Sequence, residues 1–77
     1  MNLEYEIPEC AEVSLKVFNS IGAVVRTILT QEVMPGKYQI TWFLTDDQDR
    51  NLASGIYFVR FTAGDKYERI QKIILMR

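Results

Sequence analysis

The amino-acid sequence predicts an all-β fold, an antiparallel sandwich of about seven strands. Three observations carry that prediction. Apolar and polar residues alternate along the chain, and side chains two apart on a strand share one face. The alternating runs are rich in β-branched and aromatic residues. Turn signals separate them at a spacing of roughly 8–12 residues, and no useful stretch of helical period lies between the turns.

Taken in order, Leu3, Tyr5 and Ile7 alternate with Glu4 and Glu6, and Pro8 closes that run. Val13, Leu15 and Val17 alternate with Glu12, Ser14 and Lys16, so the first three form a core face. Asn19-Ser20-Ile21-Gly22 fits a type I turn closed by a glycine with positive φ. Val24, Val25, Ile28 and Leu29 break strict alternation, which predicts a bulge or a strand covered on both sides. Met34-Pro35-Gly36 fits a type II turn, with Gly36 at its third position. Tyr38, Ile40 and Trp42 then line one face, while Phe43 falls on the other. Residues 46–51 are a polar loop. Gly55 opens a run in which Tyr57, Val59 and Phe61 face the core and Phe58 faces outward as a candidate contact. Ala63-Gly64-Asp65-Lys66 is a tight hairpin. The block Ile73-Ile74-Leu75-Met76 is apolar on both faces, so it needs a cover on each, from the domain or from outside it.

The chain has 77 residues, the size of one domain, and no linker, internal repeat or low-complexity segment. A domain this small buries only roughly 60% of its unfolded surface, so its margin of stability is thin. The 9 basic and 10 acidic side chains give a net charge of −1, without the basic surplus that phosphate binding uses. No nucleic-acid partner is expected. Charge is uneven, however: Glu4, Glu6, Glu9 and Glu12 crowd the start, and Lys66, Arg69, Lys72 and Arg77 oppose only Glu68 at the end. No apolar run reaches the length of a membrane helix, so no membrane insertion is expected. The first residues lack the pattern of a signal peptide, so an exported parent would carry its signal upstream. Cys10 is the single cysteine, which leaves the redox compartment open.

Catalytic chemistry is hard to assemble from this composition. The chain has no histidine, so Ser14, Ser20 and Ser54 lack the ordinary base of a nucleophilic site. One cysteine cannot build a zinc site, and no glycine-rich loop leads into a helix. No enzyme and no cofactor are expected. Asp47, Asp49 and Asn51 begin like a calcium loop, with Asp46 beside them. The pattern then fails at Leu52 and Phe58, where a glycine and a bidentate glutamate belong. A solvated loop whose carboxylates bond locally is the expectation. Trp42, Tyr38, Tyr57, Phe58 and Tyr67 would suit sugar stacking in kind, but the face-sharing of Trp42 and Tyr57 with aliphatic residues reads as core.

Several motifs together resemble a known family. Tyr5-Glu6-Ile7-Pro8, the run Ala11 to Asn19 with Gly22, Pro35-Gly36, Thr41-Trp42, Ala53-Ser54-Gly55-Ile56-Tyr57-Phe58 and the closing Lys72 to Arg77 are similar to the small Ig-like domains at the C-termini of exported bacterial proteins. Two relatives share the pattern: the C-terminal sorting domain of type IX secretion cargo and the Ig-like domain of the flagellar hook-capping protein. The resemblance implies a seven-stranded Ig-like sandwich without catalysis, as one domain over residues 1–77 at the end of a larger exported protein. For a sorting domain it further implies recognition by outer-membrane export machinery, with surface or extracellular delivery. The final segment Lys72, Ile73, Ile74, Leu75, Met76 and Arg77 is then the recognition strand, with either Ile74 and Met76 or Ile73 and Leu75 on its open face. For a hook-cap-like module it implies packing of Phe43 and Phe58 against a neighbouring domain or subunit. A weak homodimer through edge strands is a further expectation. The pattern has Asp-Gly after the tryptophan where this chain has Phe43-Leu44, so the positive φ that a glycine permits is expected to be lost there.

Overall fold

A computed structural model describes residues 1–76; Arg77, the end of the expected recognition strand, lies outside the described residues. Six strands follow one another: β1 (Asn2–Ile7), β2 (Ala11–Asn19), β3 (Val24–Val33), β4 (Gly36–Thr41), β5 (Gly55–Ala63) and β6 (Tyr67–Leu75). They form two antiparallel sheets, a ribbon β1-β4 and a four-stranded sheet ordered β3-β2-β5-β6. The fold is thus all-β and Ig-like in character, with six strands among the described residues where about seven were expected. The difference lies in residues 42–54, a loop held by one isolated bridge between Thr45 and Asn51.

The core follows from alternation on the two central strands. Val13, Leu15 and Val17 of β2 and Tyr57 and Val59 of β5 are buried on the same side of the wide sheet. Trp42 and Leu52 from the loop close over Leu15, Val17, Tyr57 and Val59. Ile40 and Phe61 are half-buried and pack against this cluster, as do Ile73 and Leu75 of β6. At the other end Ile7, Val13 and Val33 form a second buried group. It is flanked by the rings of Tyr38, Tyr5 and Phe61, with centroid separations of 5.3 and 5.2 Å. The ribbon begins one residue before β1: Met1 and Trp42 exchange hydrogen bonds, Trp42 N–H to the Met1 carbonyl and the Met1 amino group to the Trp42 carbonyl, both 2.8 Å.

Local chemistry sets the turns. Asn19 Oδ1 accepts the N–H groups of Ile21 (3.2 Å) and Ala23 (2.9 Å), and Gly22 at φ +88° donates to the Asn19 carbonyl. Gly64 at φ +61° turns β5 into β6. Gly36 has φ +153°, wider than a type II turn requires, and already belongs to β4. The bend falls at Pro35. β3 carries two register shifts, opposite Leu15/Lys16 and Val17/Phe18. They explain why Val25, Ile28 and Leu29 all reach the core despite their irregular spacing.

The loop after Trp42 corrects one expectation. The positive φ is kept, at Leu44 (φ +60°), the position where glycine was missed, and again at Asp49 (φ +59°). Leu44 packs against the Trp42 cluster. Burial thus offsets a backbone cost of about 1–2 kcal/mol.

Trp42 is 3% exposed, and its indole N–H donates to the Thr45 carbonyl at 3.0 Å. Replacing Trp42 with Ala removes the lid of the main core and frees that loop. The expected cost is about 3–5 kcal/mol, comparable with the whole stability of a domain of this size. Urea unfolding followed by circular dichroism measures it; a loss below about 1 kcal/mol would contradict the assignment of Trp42 as the keystone.

Candidate interaction surface

The ribbon covers only the inner side of the wide sheet, and residues at alternate positions point the other way. Cross-strand register lines them up. Val24, Phe18, Phe58 and Lys72 form one row across β3, β2, β5 and β6. Ile56 and Ile74 form the next row at the same end. Further along, the rows turn polar: Thr27, Lys16, Arg60 and Ile70, then Thr30, Ser14, Thr62 and Glu68. Arg60 and Glu68 join as an ion pair, with Nε and Nη2 at 3.0 and 2.6 Å from the same carboxylate oxygen. One end of the outer face is therefore apolar and the other charged.

Phe18 and Phe58 are half-buried side by side in one row, Val24 and Ile56 are exposed, and Ile74 is 64% exposed. The expected contact Phe58 thus lies in the middle of this patch. Phe43, 77% exposed, sits in the loop after β4 and belongs to a different element. In the closing strand, Ile73 and Leu75 turn inward to the core, whereas Ile74 points out and Met76 is 86% exposed. Between the two open alternatives for that strand, the exposed pair is Ile74 and Met76. Phe18, Val24 and Ile56 are not among the contacts expected from sequence. The signal was there in β2, where the outward series Glu12, Ser14, Lys16 ends on Phe18.

The width mismatch leaves a second opening. β6 overhangs the ribbon, and a crevice of about 290 Å³ lies between β1 and β6, with Leu15, Val59 and Phe61 as its floor and Glu4 and Arg69 at its rims. Of the aromatic side chains that would suit sugar stacking, Tyr67 lines this crevice and is exposed, whereas two others are committed elsewhere. Trp42 is in the core, and Tyr57, also buried, donates its hydroxyl to the Ala53 carbonyl at 2.7 Å.

The acidic loop serves β3. Asp47 accepts the Thr27 N–H (2.9 Å) and donates its own N–H to the Val25 carbonyl (3.0 Å), which caps the free edge of that strand. Arg26 reaches the Asp46 carbonyl and the Asp49 carboxylate (3.2 Å). Asp46 accepts the N–H groups of Arg50 and Gln48, both at 2.9 Å, and Arg50 Nε at 3.0 Å. The three carboxylates turn to separate partners, and no group of metal-holding side chains converges among the described residues.

The backbone N–H of Arg50, more than any other contact, holds the Asp46 carboxyl below its ordinary value, against a smaller opposing effect of desolvation. A depressed carboxyl stabilises the folded loop above its unfolded pKa, and that stability is lost as pH falls through the folded pKa. The amide resonances of Gln48 and Arg50 are therefore expected to titrate together with Asp46, with a midpoint below the reference 3.8. Asp46→Ala should abolish that titration. A midpoint at or above the reference value would refute the bonding pattern.

Comparison with known proteins gives one result. A family model described as the FlgD Ig-like domain matches residues 1–66. That stretch holds β1 to β5 and the turn after them, while β6 lies beyond it. No curated protein and no solved structure matches the chain. With the model spanning most of the sequence, the chain belongs to the FlgD Ig-like domain family.

Proposed function

We propose that this domain is a non-catalytic docking module that binds a protein partner, a neighbouring domain or subunit, through the apolar end of the outer face of the wide sheet. One observation carries the reading: Val24, Phe18 and Phe58 in register across three strands, extended by Ile56 and Ile74, with no element among the described residues over them. Contiguous apolar surface of this kind marks interaction sites. Lys72 at the edge of the patch supplies a charge that selects among partners more than it adds affinity. Membership in a family of non-catalytic structural domains supports the same view.

A photoreactive phenylalanine analogue at position 74 tests it in cells that make the parent protein. Protein adducts are expected from position 74 and not from position 30, which lies on the same face at its polar end. Equal labelling at both positions, or none at 74, would overturn the reading.

A second reading is a C-terminal sorting and anchoring module of an exported protein, recognised by outer-membrane export machinery. Its support is that β6 lies beyond the matched residues and exposes Ile70 and Ile74, with Met76 exposed just after it. Residues 1–77 fused behind a reporter with its own signal peptide, in a host with type IX secretion, are expected to bring the reporter to the cell surface. A reporter that stays in the periplasm discards this reading without touching the first.

A further inference from the structure

The four free strand edges of the sandwich are not equivalent. On β1 the outward side chains flanking Tyr5 are Glu4 and Glu6, so two copies of that edge repel. On β3 the edge is bulged twice and capped at Val25 and Thr27 by Asp47, and its one outward charge is Glu32. β4 is six residues long and carries only Lys37 among its outward charges. β6 is nine residues long, pairs only with β5 among the described residues, and alone carries both signs on its outward face, at Lys72 and at Glu68, which is also paired with Arg60 of β5.

The backbone of β6 is presented for pairing. Gly64 donates its N–H to the Glu12 carbonyl of β2 at 2.9 Å. Backbone groups alternate sides along an antiparallel strand, so the even residues of β5 face β2 and the odd ones face β6. Their partners on β6 are Gln71 for Val59 and Arg69 for Phe61. The N–H and C=O groups of Glu68, Ile70, Lys72 and Ile74 therefore point to the open edge.

We propose that β6 is a homodimerisation edge, pairing antiparallel with β6 of a second copy about a two-fold axis at Ile70. That register sets Ile70 against Ile70 and places Glu68 opposite Lys72 twice, once on each side of the axis. On the inner face it sets Tyr67 opposite Ile73 and Arg69 opposite Gln71. The neighbouring registers are poorer. Axes at Glu68, Arg69 or Lys72 juxtapose like charges. An axis at Gln71 pairs more residues but sets Lys72 against Ile70 and Glu68 against Ile74. Cross-strand pairs of opposite charge are favourable and like charges directly opposite are not, so one register stands out. The product is a continuous eight-stranded sheet in which each copy keeps its own β5–β6 hairpin, and the outer apolar patches of both copies lie on one side.

Sedimentation of the 77-residue chain tests the proposal. The wild type is expected to be a concentration-dependent dimer in the micromolar to millimolar range. Lys72→Glu should weaken it by about tenfold or more, since both ion pairs become repulsive. Adding Glu68→Lys together with Arg60→Glu, which keeps an ion pair inside each copy, should restore the dimer, because the reversed charges again face each other. Circular dichroism checks that each variant is folded. In a Cys10→Ser background, Ile70→Cys should form an intermolecular disulfide on mild oxidation, because directly opposed residues in a hydrogen-bonded pair lie about 5.5 Å apart at Cα, within disulfide reach. A wild type monomeric up to millimolar concentration would overturn the proposal. So would a dimer indifferent to both charge changes, or a folded Ile70→Cys dimer that does not cross-link. The last result would indicate exchange of β6 between copies, which does not bring the two Ile70 positions together.

Discussion

The structure depends on a mismatch of width: two strands cover four. The ribbon β1-β4 and the Trp42 loop are just broad enough to seal the inner faces of β2 and β5, where Val13 and Val17 are fully buried. Everything at the margin is left to other devices. β3 keeps its core contacts by bulging twice, which turns Val25, Ile28 and Leu29 inward, and its edge is capped by Asp47. β6 packs only through Ile73 and Leu75 at its far end, while its first half overhangs a crevice. A small domain cannot bury every apolar residue it carries, and here part of the excess gathers at one end of the outer face while Ile21, Met34 and Phe43 stay exposed in turns and loops.

That sorting has a mechanical consequence. The outer patch stands on β2 and β5, the same strands whose other faces form the core. Phe18 and Val17 are sequence neighbours on β2, as are Phe58 with Tyr57 and Val59 on β5. A partner seated on Phe18 and Phe58 thus contacts the most firmly held backbone in the domain, so little ordering is needed on binding. Phe43 offers a similar exposed area from a loop, where the cost of fixing the backbone falls on the complex. Strand position, more than hydrophobicity, separates the two phenylalanines.

Much of the fold was legible in the sequence because its signals are local. Alternation in β2 and β5, the Asn19–Gly22 turn and the Gly64 hairpin depend on residues within one strand or one turn. The broken pattern at Val24 to Leu29 announced a bulge without saying where it would fall. What escaped was what depends on register between distant strands. Val24, Phe18 and Phe58 become a surface only when β3, β2 and β5 align, and no single strand shows it. The loop after Trp42 was misread for a related reason. Loss of glycine predicts loss of positive φ, yet Leu44 adopts it because its side chain gains a place beside Trp42. Tertiary burial overrode a backbone preference of about 1–2 kcal/mol.

The boundary of the family match falls where the physical roles change. Residues 1–66 contain both buried groups except for the support of Ile73 and Leu75, together with the ribbon, the capped edge and most of the outer patch. β6 adds the last ladder to β5 and contributes Ile74 to that patch. A sheet needs its final strand to satisfy the odd backbone groups of β5, but that need specifies hydrogen bonds, not side chains. The inward residues at 73 and 75 are fixed by the core, and of the outward ones Glu68 is paired with Arg60 within the domain, whereas those at 70, 72 and 74 face out of it. An alternating strand thereby separates the two demands, with folding written on one face and recognition on the other. Charge placed at 68 and 72 can change without disturbing a single buried contact, which makes β6 the part of this scaffold where specificity is set at least cost to the fold.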